Sequence, residues 1–271
     1  MNNLITRSLS GIVYVLLILM STFYIPQGSF LLAGILGSLA LIEWHNFKPE
    51  AHKRGHSVFS VLILLMSLAY FSPEISAISK AAMALISLVL ILMMVLQNIF
   101  VENSQKALDS LFRNVFGLFY IVPALLSLAF LGEHSWVLAG VFIMIWCFDS
   151  FAYLVGKYLG SHKLMPRISP NKTWEGFIGG SLFSALAAAL LWNYSGVEFL
   201  KLWHWLSLSF LVVLSATFGD LFESALKRKH NLKDSGKMMP GHGGILDRID
   251  SLLFAMPVTF LFLNLIATNK L

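Results

Sequence analysis

The chain is poor in charge and nearly devoid of cysteine, and each shortage narrows what it can be. Only 12% of its 271 residues are Asp, Glu, Lys or Arg, about half of the roughly 25% usual in soluble domains. An ordinary water-facing globular surface is thereby excluded. The single cysteine, Cys147, rules out an internal disulfide and a cysteine-rich metal centre; its apolar surroundings mark it as a packing residue. No His pair has the HExxH spacing of a zinc hydrolase. There is no internal repeat and no Pro- or Ser-rich linker. The first apolar run, 9–24, is followed by no small-residue cleavage site and a second run starts at Phe30, so it reads as a signal anchor.

What is plentiful is hydrocarbon. The hydrophobic share is 57%, and it falls into nine apolar segments at 9–24, 30–46, 57–72, 82–100, 114–131, 136–156, 176–194, 203–223 and 251–268. Runs of about 18 or more apolar residues read as membrane spans, because a helix needs about 20 to cross the hydrocarbon. The fold class expected is therefore an all-α integral membrane protein of about nine transmembrane helices. Sixteen of the 19 Lys and Arg fall on one side if the N-terminus is cytoplasmic and the C-terminus outside, which the positive-inside rule favours. The net charge of +5 thus follows topology and is no sign of nucleic-acid binding. The expected organisation is a membrane region at 1–135 with about five helices. A catalytic membrane region at 136–271 follows, with about four helices and two cytoplasmic loops.

Chemistry concentrates in those two loops and the helices beside them. Asp149 lies within the sixth apolar run; a carboxylate at that depth costs roughly 2.5–3.5 kcal/mol on insertion scales, so it faces a polar cavity or a satisfying neighbour. Asp220, Glu223 and Lys227 are spaced to share one helix face, with Ser224 a turn from Asp220 and Arg228 on the adjoining flank. Residues 224–250 put six Lys/Arg, three Asp and four Gly between two apolar runs. In that stretch Pro240, Gly241, Gly243 and Gly244 indicate a tight turn whose N–H groups can approach a phosphate. Asp247 and Asp250 open the next helix as hard oxygen ligands suited to Mg²⁺, or as acids that complement its dipole. His242 is open to three readings: phosphate contact, proton shuttle or shaper of the turn. In the earlier loop Ser169, Asn171 and Lys172 suit a nucleotide or phosphate, Thr173 suits a helix cap, and Gly176, Gly179 and Gly180 suit close helix packing.

Together these residues resemble the signature of the phosphatidate cytidylyltransferases, or CDP-diacylglycerol synthases. That pattern runs Ser-x-x-Lys-Arg, Lys-Asp-x-Gly and Pro-x-His-Gly-Gly-x-x-Asp-Arg-x-Asp. It is matched by Ser224, Lys227, Arg228, Lys233, Asp234, Gly236, Pro240, His242, Gly243, Gly244, Asp247, Arg248 and Asp250. SPNKTWEG at 169–176 and the segment starting at Asp149 look like further family motifs, while Met239 replaces the usual Leu, Ile or Phe. The resemblance implies a membrane enzyme that condenses CTP with phosphatidate, giving CDP-diacylglycerol and pyrophosphate. In that reading Asp220 and Asp247 hold Mg²⁺ with Asp250 and Glu223 among or just beside its ligands, and a second metal ion is left open. Lys172, Lys227, Arg228 and Arg248 grip phosphates, Ser169, Asn171, Gly243 and Gly244 contact the nucleotide, and Asp149 orients a base or completes the metal site. A homodimer in a bacterial cytoplasmic membrane, its site facing the cytoplasm, is expected. The alternatives are a CTP-dependent transferase acting on an isoprenoid ether lipid or polyprenol, and an ion-coupled transporter using Asp149 and Asp220.

Overall fold

A chain in lipid must satisfy its backbone polar groups internally, which favours helices wherever the sequence is continuously apolar. The computed structural model describes residues 3–46, 55–71, 76–99, 104–236, 238–239 and 243–268. The described residues form nine α-helices: α1 (Asn3–Phe23), α2 (Gly28–Asn46), α3 (Gly55–Tyr70), α4 (Ala77–Ile99), α5 (Ser104–Leu131), α6 (Ser135–Leu159), α7 (Trp174–Tyr194), α8 (Leu202–Lys229) and α9 (Leu246–Thr268). Five segments are long and apolar enough to cross a bilayer, namely Gly28–Asn46, Asp109–Leu159, Trp174–Tyr194, Leu202–Lys229 and Leu246–Ala267. The second of these runs through α5, a short 3-10 turn and α6. Helices α1, α3 and α4 carry shorter apolar stretches. The chain is a multi-pass helical membrane protein.

Two local features depart from the sequence reading. The apolar run ending at 223 continues as helix to Lys229, so α8 carries its acids and bases on one continuous rod. The loop before α7 is not irregular throughout: β1 (Lys163–Met165) and β2 (Ser169–Thr173) pair antiparallel as a hairpin. Polar residues too short a run to form a helix satisfy their backbone by pairing across the turn. Thr173 closes β2 and caps α7 as expected, its hydroxyl oxygen accepting the Gly176 N–H at 3.1 Å.

One hydrophobic core joins both halves of the chain, drawing Leu41 from α2, Leu125 from α5, Leu138 from α6, Trp205 from α8 and Ile249 from α9. An aromatic seam crosses it beneath the charged end of α8. Phe222 meets Phe116 at 5.8 Å and Tyr120 at 5.3 Å between centroids on α5, and Phe254 at 5.8 Å on α9. Such pairs add roughly 0.5–1.5 kcal/mol beyond burial and fix the rotation of α8. Leu16, Phe210 and Leu261 point outward and exposed, the arrangement hydrocarbon requires.

Helices α6 and α7 pack most closely where the sequence places small residues. A Cβ built at Gly180 would meet the Phe148 carbonyl oxygen at 2.6 Å, and one at Gly179 would meet Val155 at 2.7 Å. This is the backbone approach that glycine permits between membrane helices. Gly180→Val is therefore expected to destabilise the folded protein by about 1–3 kcal/mol, read as a lowered unfolding midpoint in detergent.

Candidate functional site

The charged ends of α6, α8 and α9 and the hairpin before α7 meet at one end of the bundle. Gly219 makes the α8–α9 contact possible, since a Cβ there would collide with the Asp250 carbonyl oxygen. That approach brings Asp220 and Glu223 of α8 beside Asp247 and Asp250 of α9. Asp149 of α6 faces Asp220 and Asp250. Lys172, at the end of the hairpin, pairs with Asp220 Oδ2 at 2.5 Å, and Ser224 Oγ donates to Asp220 Oδ1 at 3.2 Å.

Lys227 is the cation that ties the two helices together. Its Nζ lies 2.7 Å from Asp247 Oδ1 and 3.4 Å from Glu223 Oε1, with side-chain exposures of 12%, 9% and 2% for Lys227, Asp247 and Glu223. An ion pair this enclosed is costly to break, because removing one partner leaves buried charge uncompensated. Asp247 is engaged on its other oxygen as well. Oδ2 accepts the N–H of Ser235 at 2.9 Å and of Gly244 at 2.8 Å. Gly243 makes this turn with φ +81°, a conformation glycine adopts without strain; a Cβ there would press on Asp247 Oδ2 at 2.7 Å.

These contacts redistribute the roles expected from sequence. Asp247, expected as an open metal ligand, serves here as a clasp with three protein donors. The Gly244 N–H, expected on a phosphate, is given to Asp247. Arg228 turns to the end of its own helix, Nη1 donating to the Leu232 carbonyl at 3.2 Å. Ser169 and Asn171 sit on β2 beside Lys172. His242, Pro240 and Gly241 lie outside the described residues.

Beside the clasp is a cavity of about 280 Å³. Asp149, Asp247, Arg248 and Asp250 form its polar wall, and Phe142, Ile145 and Trp146 of α6 with Val15 of α1 form its apolar one. Tyr14 also lines it, its hydroxyl 3.5 Å from the Arg248 carbonyl. No pattern in the sequence would have singled out Tyr14. Glu43 was also missed, although a carboxylate inside the apolar segment 30–46 was a visible signal. It is 2% exposed, and its Oε2 accepts Ser235 Oγ at 3.1 Å and the Leu246 N–H at 3.0 Å.

The donor set suits a hard divalent cation. Among the described residues, five carboxylates (Asp149, Asp220, Glu223, Asp247 and Asp250) gather with the cations Lys172, Lys227 and Arg248. Glu223 faces Asp247 and Asp250, and neither of its buried oxygens meets a donor in hydrogen-bond geometry among the described residues. Crowded carboxylates favour a bound cation. Among the described residues no three of them, with or without His and Cys, already converge as a ready-made metal cage. Oxygens from a ligand would have to complete the coordination.

A polytopic helical membrane protein with a charged site at one end of its bundle, open to both an apolar and a polar wall, is the class these features define. The profile of the Cytidylyltransferase family matches residues 5–266. The phosphatidate cytidylyltransferase of Bacillus subtilis (strain 168) is 34% identical over 268 residues, covering 97% of either chain. That of Staphylococcus aureus (strain COL) is 35% identical over 240 residues, covering 83% of this chain and 86% of its own. That of Staphylococcus haemolyticus (strain JCSC1435) is 45% identical over 118 residues, covering 43% and 45%. The chain belongs to the Cytidylyltransferase family.

The two ion pairs predict different costs on removal. Lys227→Met is expected to lower stability by about 3–5 kcal/mol, because Asp247 and Glu223 are left buried and unpaired. Lys172→Met, whose pair with Asp220 is about 30% exposed, is expected to cost less than about 1 kcal/mol. Unfolding midpoints of the two variants in the same detergent measure the difference.

Proposed function

We propose that this chain is a phosphatidate cytidylyltransferase: it condenses CTP with phosphatidate to give CDP-diacylglycerol and pyrophosphate. The observation that carries this reading is the cavity in which an apolar wall meets Asp149, Arg248 and Asp250. A lipid phosphate enters such a site with its acyl chains against α1 and α6 while its headgroup reaches the charged end of α8 and α9. The nucleotide arrives from the aqueous side, past Lys172 and the hairpin. A phosphatidate oxygen attacks the α-phosphorus of CTP, a new P–O bond forms, and the bond to the β-phosphate oxygen breaks to release pyrophosphate. No covalent protein intermediate is needed; positioning and neutralisation of charge supply the rate.

A cation is needed because both substrates are anions and the site holds more carboxylates than bases. Asp220 and Asp250, with Glu223 beside them, would hold Mg²⁺, which typically takes one or two carboxylates and completes its shell with substrate phosphates and water. Bound there, it neutralises charge that builds on the transferring phosphoryl group. Lys172, beside Asp220, and Arg248, in the cavity wall, would hold phosphate oxygens. Lys227 keeps the α8 and α9 carboxylates at fixed separation. Asp149 faces Asp220 and Asp250 across the cavity, where it either shares the cation or orients the cytosine ring.

The topology that goes with this reading has nine crossings, with the site and most cations on the cytoplasmic side and the C-terminus outside. The assembly that accords with the family resemblance is a homodimer.

Membranes carrying the protein, given labelled CTP and a panel of lipid phosphates, are expected to form the CDP-lipid from phosphatidate and to release pyrophosphate. Turnover of an isoprenoid ether lipid or polyprenol acceptor instead would replace the substrate assigned. For the cation, Asp250→Asn is expected to lower turnover on the order of 100-fold and Asp220→Asn to raise the Mg²⁺ concentration needed for half-maximal rate. An unchanged Mg²⁺ titration in Asp220→Asn would remove Asp220 from the metal site.

A further inference from the structure

Among the described residues, Glu43 is the carboxylate from the N-terminal half of the chain that hydrogen-bonds to the site's glycine-rich segment. It is buried on α2, between Leu41 and Trp44 of the core, and 192 residues separate it from its partner Ser235. Its position is set independently of the site. Next to it, Trp44 Nε1 donates to the Arg113 carbonyl at 3.0 Å and stacks on Phe116 at 5.8 Å, locking α2 to α5. His45, also buried, places Nδ1 2.7 Å from the Leu41 carbonyl.

From this fixed point the Glu43 carboxylate reaches both ends of the glycine-rich segment between α8 and α9. On the α8 side it accepts Ser235 Oγ, and on the α9 side it accepts the Leu246 N–H. Ser235 Oγ in turn accepts the Asp247 N–H at 3.3 Å. The Ser235 N–H donates to Asp247 Oδ2, and Asp247 Oδ1 holds Lys227. Hydrogen bonds thus run unbroken from Glu43 through Ser235 and Asp247 to Lys227. The glycines of the segment fit this carboxylate. A Cβ at Gly236 would run into Glu43 Oε1, and one at Gly244 would meet Glu43 Oε2 at 2.5 Å and Oε1 at 2.7 Å. The Glu43 carboxylate thus packs against two separate glycines, and at Gly244 the Ser235 hydroxyl it accepts from stands closer still.

We infer that Glu43 is a positioning residue for cytidylyl transfer: it pins the two ends of the glycine-rich segment to α2 and so sets where Asp247 and Lys227 stand in the site. This rests on the cytidylyltransferase reading above. A buried carboxylate that only fills space and accepts hydrogen bonds should be replaceable by an apolar side chain of similar size at a cost in stability and with kcat unchanged. An acceptor that orients the segment should not be.

The test compares Glu43→Leu and Glu43→Gln with wild type in detergent, measuring the unfolding midpoint and the kcat and KM for CTP and phosphatidate. Glu43→Leu is expected to lower the unfolding midpoint, because the Leu246 N–H and the Ser235 hydroxyl lose their acceptor, and to lose at least about tenfold in kcat with the KM for phosphatidate unchanged. Glu43→Gln keeps one acceptor oxygen and is expected to recover most of that loss. A folded Glu43→Leu with wild-type kcat overturns the inference. If Glu43→Leu does not fold, Ser235→Ala decides: a fall in kcat at unchanged stability supports the relay, and wild-type kcat overturns it. Absence of CDP-lipid with the wild-type protein itself would instead remove the reading on which the inference rests.

Discussion

Everything at the charged end of this protein depends on Lys227 standing between Glu223 and Asp247. The three side chains are at most 12% exposed, so each charge has exchanged water for protein. Burying carboxylates near a membrane is costly, and the cost is offset only when a cation and hydrogen-bond donors are brought to the same place. That requirement couples α8 to α9. It also explains why the segment between them is rich in glycine, since Asp247 needs two backbone N–H groups brought within reach of a single oxygen.

The same requirement separates two kinds of carboxylate. Asp247 and Glu43 accept hydrogen bonds from the glycine-rich segment and its flanks and hold it in place, with Glu43 Oε1 meeting no donor among the described residues. Asp149 and Asp250 line the cavity, and Asp220 pairs with Lys172 and accepts from Ser224 Oγ. A site built this way has rigid acids behind and cation-accepting acids in front. An enzyme joining two polyanions gains from that division, because the acids that hold a cation need not also hold the backbone.

Much of this was legible in the sequence, and the limits are instructive. The apolar segments foretold an all-helical membrane fold, with five stretches among the described residues long and apolar enough to cross a bilayer, because continuous apolar runs leave the backbone one economical way to satisfy itself. Thr173 as a helix cap and the glycines of α7 as a packing surface were readable from local spacing. The grouping of Asp220, Glu223 and Lys227 followed from helical periodicity. The hairpin at 163–173 was not readable, since Leu164, Met165 and Ile168 follow no strand alternation and Pro166 and Pro170 interrupt the run. Arg228, expected at a phosphate, donates to the Leu232 carbonyl just past the end of α8, a contact that spacing along the chain does not reveal.

By itself the sequence determined a helical membrane protein and the residues that resemble a cytidylyltransferase signature, because hydropathy and motif spacing are local properties of the chain. Only the tertiary structure decided which of those acids the backbone of the glycine-rich segment engages. That distinction depends on donors from distant parts of the chain. Glu43, about 200 residues from the segment it holds, shows why: a buried carboxylate is defined by its partners, and no one-dimensional pattern says which partners a folded chain will bring.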